Sequence, residues 1–118
     1  MEKLTKAEEP VMQLIWKNKK IFVKEIIEKL PDPKPPYNTV SSIVRILESK
    51  GMVGHREYGR IYQYYPKVSK KEYRLAMFRY LVQDYFDGSY VTLVSQITEQ
   101  EDLSPGEIDE IKKLIRNK

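Results

Sequence analysis

The stretch 38-NTVSSIVRILESKGMVGHREYGRIYQYYP-66 decides the fold of this 118-residue chain. Its first part has the period of a helix: Val40, Ile43, Val44 and Leu47 fall on one stripe. Thr39, Ser41, Ser42, Arg45 and Ser49 lie on other faces. Asn38 is a suitable helix cap, and Gly51 suits the left-handed position that ends a helix. The second part has the period of a strand. Met52 to Arg56 and Arg60 to Tyr65 read as two strands joined through Glu57-Tyr58-Gly59, and Pro66 ends the second. A helix running straight into a hairpin is a helix followed by a wing.

Two more helices precede this unit. Thr5–Glu8 has the Ser/Thr-x-x-Glu spacing in which a hydroxyl and a carboxylate cap opposite partners at a helix start. The first helix is expected from about Lys6 to Lys17, with Ala7, Val11, Leu14 and Ile15 on one face. Pro10 implies a distorted first turn or a start nearer Glu9. A short second helix carries Val23, Ile26, Ile27 and Leu30 at helical spacing, and Pro31, Pro33, Pro35 and Pro36 stop it. Downstream the pattern is helical only. Ser69–Glu72 and Ser104–Glu107 repeat the capping signature, the latter with Pro105 at the first helical position. The fourth helix, ending at Gly88, carries Tyr73, Leu75, Met77, Phe78, Leu81, Val82, Tyr85 and Phe86 on more than one face. A helix so apolar in a small protein is expected to meet its own core and another subunit. Two short helices follow, over residues 90–97 and 105–116.

The expected fold is therefore mainly α with a small β-wing: a winged helix-turn-helix domain over residues 1–68, then a three-helix dimerisation segment over 69–118. Charge follows the same division. Residues 1–68 hold 13 Lys/Arg and 8 Asp/Glu, whereas residues 69–118 hold 8 and 9. The positive excess lies where a phosphate-binding surface is expected. The chain has no cysteine, so disulfides and thiolate metal sites are excluded. It lacks a signal-peptide pattern and any apolar run near the roughly 20 residues of a membrane helix, which reads as cytoplasmic, without membrane insertion. The glycines are spaced as turn residues rather than as a nucleotide-binding loop. His55 has no evident carboxylate or nucleophile partner. The sequence points to no enzyme, no cofactor and no metal.

In a winged helix the third helix enters the major groove, where small hydroxyls and one long cation can approach base edges and phosphates. Asn38, Thr39, Ser41, Ser42 and Arg45 fit that use. On the wing, His55, Arg56 and Arg60 suit phosphate or minor-groove contact. Tyr62 shares a strand face with Tyr64; one is expected to meet phosphate and at least one to pack beneath the wing. Lys17, Lys19 and Lys20 read as a solvated basic loop. An adaptor that uses the same surface for protein contact, without specific DNA binding, is the alternative.

These residues resemble the BlaI/MecI/CopY family of bacterial penicillinase repressors. The similarity runs through Leu4-Thr5-Lys6-Ala7-Glu8, Val11-Met12-Gln13-Leu14-Ile15-Trp16, Thr39-Val40, Leu47-Glu48-Ser49-Lys50-Gly51 and Ile61-Tyr62-Gln63-Tyr64-Tyr65, and reaches Leu93-Val94. It implies a transcriptional repressor that binds a palindromic operator in double-stranded DNA as a homodimer, the C-terminal helices of two subunits intertwining. That assigns Leu75, Phe78, Leu81, Val82, Tyr85, Phe86, Val94, Ile97, Ile111 and Ile115 to dimerisation. Two departures stand out. The paired cysteines of the copper-responsive branch are absent. The Asn-Phe bond cleaved in the β-lactam branch corresponds to Gln96-Ile97, so inactivation by a membrane sensor protease is left open.

Overall fold

A computed structural model of the chain describes residues 1–100 and 102–116, with side chains to Lys113. The elements follow in the order α1 (Glu8–Asn18), β1 (Ile21–Phe22), α2 (Val23–Lys29), α3 (Tyr37–Ser49), β2 (Val53–Tyr58), β3 (Ile61–Pro66), α4 (Lys70–Phe86), α5 (Tyr90–Gln100) and α6 (Pro105–Arg116). Two compact units result, Met1–Leu75 and Ala76 onward. The division falls inside α4, several residues beyond the expected boundary. The cause is local to the first unit. The Leu4 N–H donates to the Tyr73 hydroxyl at 2.8 Å, and the Trp16 indole donates to the Val68 carbonyl at 2.9 Å. The Trp16 and Tyr73 rings lie 5.5 Å apart. The first turn of α4 thus packs within the first unit.

The capping signatures form as expected. At Thr5–Glu8, Ser69–Glu72 and Ser104–Glu107 the hydroxyl accepts from the Glu N–H, and the carboxylate accepts from the Ser or Thr N–H. Residues 6 and 7 form a turn before the regular helix begins at Glu8, the distortion expected from Pro10. The buried face of α1 differs from the expected one. Glu8, Val11, Met12 and Ile15 point inward, while Ala7 is exposed and Leu14 half-buried. The true stripe is the i, i+3, i+4, i+7 set that starts on the acid.

The start of α3 also departs from expectation. Pro36, with φ −61° and ψ 151°, precedes the helix, and its carbonyl accepts from the Thr39 and Val40 N–H groups. Asn38 lies inside the first turn, with its side chain free of any capping duty. Proline has a fixed φ suited to this entry, and its side chain cannot cap the first N–H groups. Lys34 closes the preceding turn, its ammonium donating to the Glu28 carbonyl at 2.9 Å and to that of Leu30.

The sheet has a strand that the sequence pattern hid. β1 pairs antiparallel with β3, giving the order β1-β3-β2. Ile21, Phe22 and Val23 look like one apolar run, and two residues are too few to show alternation. The wing strands extend to Tyr58↔Ile61, so Gly59 and Arg60 form the turn. Gly59 has φ +62°, a region that suits glycine.

Val11, Met12, Ile15, Ile26, Val40, Val44, Leu47, Met52 and Val53 form the core of the first unit, each at 2% exposure or less. One charge lies among them. Glu8 is 3% exposed, and its carboxylate accepts from Lys50 at 2.9 Å. Burial raises the pKa of this carboxyl, but the Lys50 hydrogen bond, the Thr5 backbone hydrogen bond and the Lys50 charge together hold it below its ordinary value. A carboxyl depressed in the folded state stabilises the fold above the unfolded value near 4.5, and that contribution is lost as pH falls through the lower folded value. Urea denaturation across acid pH is therefore expected to show stability falling below about 4.5. Glu8→Gln should lower stability at neutral pH and flatten that decline; an unchanged acid slope would rule out Glu8 as its source.

Candidate nucleic-acid interface

Helical spacing places Asn38, Ser42, Arg45 and Ser49 on one outward stripe of α3, opposite Val40, Val44 and Leu47. Asn38, Thr39, Ser42 and Arg45 are exposed, and Ser41 is half-buried at the stripe's edge. The Ser49 hydroxyl is occupied, donating to the Arg45 carbonyl at 3.0 Å. Beside the stripe, Tyr37 and Ile46 are also exposed, at 54% and 48%. The sequence reading above assigns neither to the surface. Ile46 could have been, since it falls off the buried stripe defined by its neighbours.

The wing meets α3 through one of its two faces. The register pairs His55 with Tyr64 and Glu57 with Tyr62, placing these side chains on the same face. Tyr64 is buried at 3% exposure, whereas Tyr62 is 41% exposed. Burial, and then the negative charge of Glu48, push the Tyr64 phenol above its ordinary pKa, with Arg45 acting in the opposite sense. Tyr64 is the tyrosine packed beneath the wing, and Tyr62 is the one left accessible.

His55 has a partner that sequence did not reveal. Its Nδ1 lies 2.5 Å from the Glu48 carboxylate near the end of α3, and its ring stacks on Tyr62 at 4.2 Å. The expectation that His55 lacks a carboxylate partner is corrected. Glu48 is seven residues away on another element, so only the turn of the chain at Gly51 brings the two together. His55 fastens the wing to α3.

Between α3 and the wing lies a concavity of about 450 Å³, whose lining includes Tyr37, Ser41, Arg45, Arg60 and Tyr62. It brings the cation of α3 and the cation of the wing turn to one recess. Arg56 does not join them. It pairs across the strands with Gln63, on the opposite face of the hairpin. The expected set is thus split: Asn38, Thr39, Ser41, Ser42, Arg45, Arg60 and Tyr62 lie on or beside the α3 side, and Arg56 lies behind it.

In the second unit, Phe78, Leu81 and Tyr85 lie on one stripe of α4, with Leu75 of the first unit at its start. They are 40%, 42%, 78% and 43% exposed respectively. Val82, grouped with them from sequence, is 2% exposed in the single chain. Phe86, Val94, Ile97 and Ile111 are half-buried, and the Ile115 side chain lies outside the described residues. The Gln96-Ile97 bond sits inside α5, with Gln96 exposed. Among the described residues no group of three His, Asp or Glu side chains could hold a metal ion, and no helix is long and apolar enough to cross a membrane.

The sequence model of the penicillinase repressor family matches residues 4–117. The methicillin resistance regulatory protein MecI of Staphylococcus aureus (strain N315) is 28% identical over 116 residues, covering 98% of this chain and 94% of that protein. The penicillinase repressor of Bacillus licheniformis is 26% identical over 117 residues, covering 95% and 88%. The solution structure of the DNA-binding domain of the repressor BlaI superposes with a TM-score of 0.52 at 30% identity, covering 62% of this chain and 94% of that one.

The fastening of the wing is open to measurement. His55→Ala removes the Glu48 hydrogen bond and the Tyr62 stack, and should cost about 1–2 kcal/mol in urea denaturation. Unchanged stability would mean that strand pairing alone holds the wing.

Proposed function

The chain belongs to the penicillinase repressor family, and from that premise we propose that it binds a palindromic operator as a homodimer, reading each half-site with α3 and the adjoining wing face. It is a DNA-binding repressor. The observation that carries the residue assignment is the convergence of Arg45 and Arg60 on one recess beside the outward stripe of Asn38, Ser42 and Arg45. Short polar side chains let the helix approach base edges, and a guanidinium at its centre can take a guanine in bidentate fashion. Arg60 and Tyr62 supply contacts to the sugar–phosphate backbone. Arg56 is left out of this face.

Dimerisation is assigned to the exposed α4 stripe of Leu75, Phe78, Leu81 and Tyr85, with the half-buried residues of α5 and α6 beside it. Two-fold symmetry would then set the two reading helices about one DNA turn or slightly more apart. The repressor acts in the cytoplasm, where its DNA is. Release by a membrane sensor protease at Gln96-Ile97 would require α5 to unwind locally, because the bond lies within that helix.

Anisotropy titration against the DNA upstream of the chain's own gene tests the reading. Arg45→Ala should lower specific affinity by about tenfold or more, since a guanine-reading pair is worth ~1–3 kcal/mol. Unaltered affinity would remove Arg45 from recognition, and no preference over random DNA in the unaltered protein would favour the adaptor reading. Sedimentation tests the dimer. Phe78→Asp or Leu81→Asp should give monomers, because an unpaired charge would be buried; dimers surviving both substitutions would place the interface elsewhere.

A further inference from the structure

The hairpin's other face holds a second basic recess that the reading above does not use. Arg56 and Gln63 share that face, and with Lys19, Lys20, Tyr65 and Pro66 they line a cavity of about 280 Å³. Three cations, an amide and a phenol meet there, and no carboxylate lines the cavity. Among the described residues, Lys19, Lys20 and Arg56 are in none of the ion pairs. Lys19 and Lys20 follow the carbonyl end of α1, which favours positive charge, but Arg56 adds a third cation with no acid in the lining, at a cost in self-repulsion.

The backbone gives an independent indication. Lys19 has φ 67° and ψ −34°, and the Lys20 N–H donates to the Asn18 carbonyl at 2.8 Å. That closes a three-residue turn of the rare, strained hand. Glycine is the residue this conformation favours. The conformation itself ends α1, where the Lys19 N–H donates to the Ile15 carbonyl at 2.9 Å, but that end requires no charge: a lysine there, followed by a second lysine and sharing a recess with Arg56, adds cations the turn does not need. Strained positions of this kind concentrate at binding sites.

We propose that Lys19, Lys20 and Arg56 form a phosphate site, and that it takes a backbone phosphate of the DNA flanking the segment read by α3. The proposal rests on the DNA-binding reading above. A tetrahedral oxyanion has several acceptor oxygens, and this recess offers a guanidinium fork, two ammonium groups and two neutral donors. The polymer rather than a free ion follows from the hairpin's position. Its inner face adjoins α3, and a wing lying at a minor groove has a phosphate wall on either side. The outer face then meets the second wall.

The test uses the full chain and a duplex carrying the DNA upstream of its gene, titrated by anisotropy across a range of salt. In the double variant Lys20→Ala/Arg56→Ala, the slope of log affinity against log salt should become shallower by about 0.9 per phosphate lost in each protomer. Sequence preference should be unchanged. Lys19→Gly should show the same shallower slope while its Tm stays level or rises, which separates a ligand role from a folding role. Wild-type slope and affinity in both variants would overturn the proposal while the DNA reading stands. Arg45→Ala in the same titration tests that reading separately, through loss of sequence preference. An unaltered protein that shows no preference for this duplex would overturn both. Inorganic phosphate, titrated by NMR, supplies the last arm: saturable binding at these residues with unaltered DNA slopes would overturn the assignment to DNA.

Discussion

One register constrains everything this chain does with its wing. Pairing His55 with Tyr64 sends every second side chain of β2 and β3 toward α3 and the remainder away from it. A slip by one residue would expose Tyr64, detach His55 from Glu48 and turn Arg56 inward. Burial of Tyr64 and Val53 holds the register, as both would otherwise be exposed to water. Gly54 leaves room for the Tyr65 ring: a Cβ there would lie 2.7 Å from its hydroxyl. The strand therefore passes close to a ring that a larger residue would displace.

From that register the proposed DNA-facing surface is assembled out of two elements that are separate in sequence. α3 contributes an outward stripe only because its opposite side is tied into the core by Val40, Val44 and Leu47. The end of α3 is in turn held to the start of α1 by the Lys50–Glu8 bond. The Glu8 carboxylate thus serves a capping box and an interhelical pair together. Its full set of partners lets a charge sit in the core without the penalty of an unmatched ion. α3 is packed on the side it hides and presents Asn38, Ser42 and Arg45 on the other, with Tyr37 and Ile46 exposed beside them.

Much of this was legible in the residues. The capping boxes, the helix order, the hairpin and the outward position of Asn38, Ser42 and Arg45 follow from local spacing, which is why they could be read. What could not be read depends on distant partners or on segments too short to show a period. β1 is two residues long inside an apolar run. The inward stripe of α1 starts on an acid, so a search for apolar residues misplaces it by one position. The His55–Glu48 bond needs the turn at Gly51 to close. Strand alternation separates Arg56 from Arg60 only once the turn is placed at Gly59-Arg60, which the Tyr58↔Ile61 pair fixes.

The central claim is that α3 and the inner wing face form one DNA-facing surface. Hydrogen exchange of the full chain, with and without the DNA upstream of its gene, tests it most directly. The account predicts that exchange slows on binding in residues 38–46 and in 59–62 together. Slowing elsewhere, with α3 exchanging as in the free protein, would contradict it.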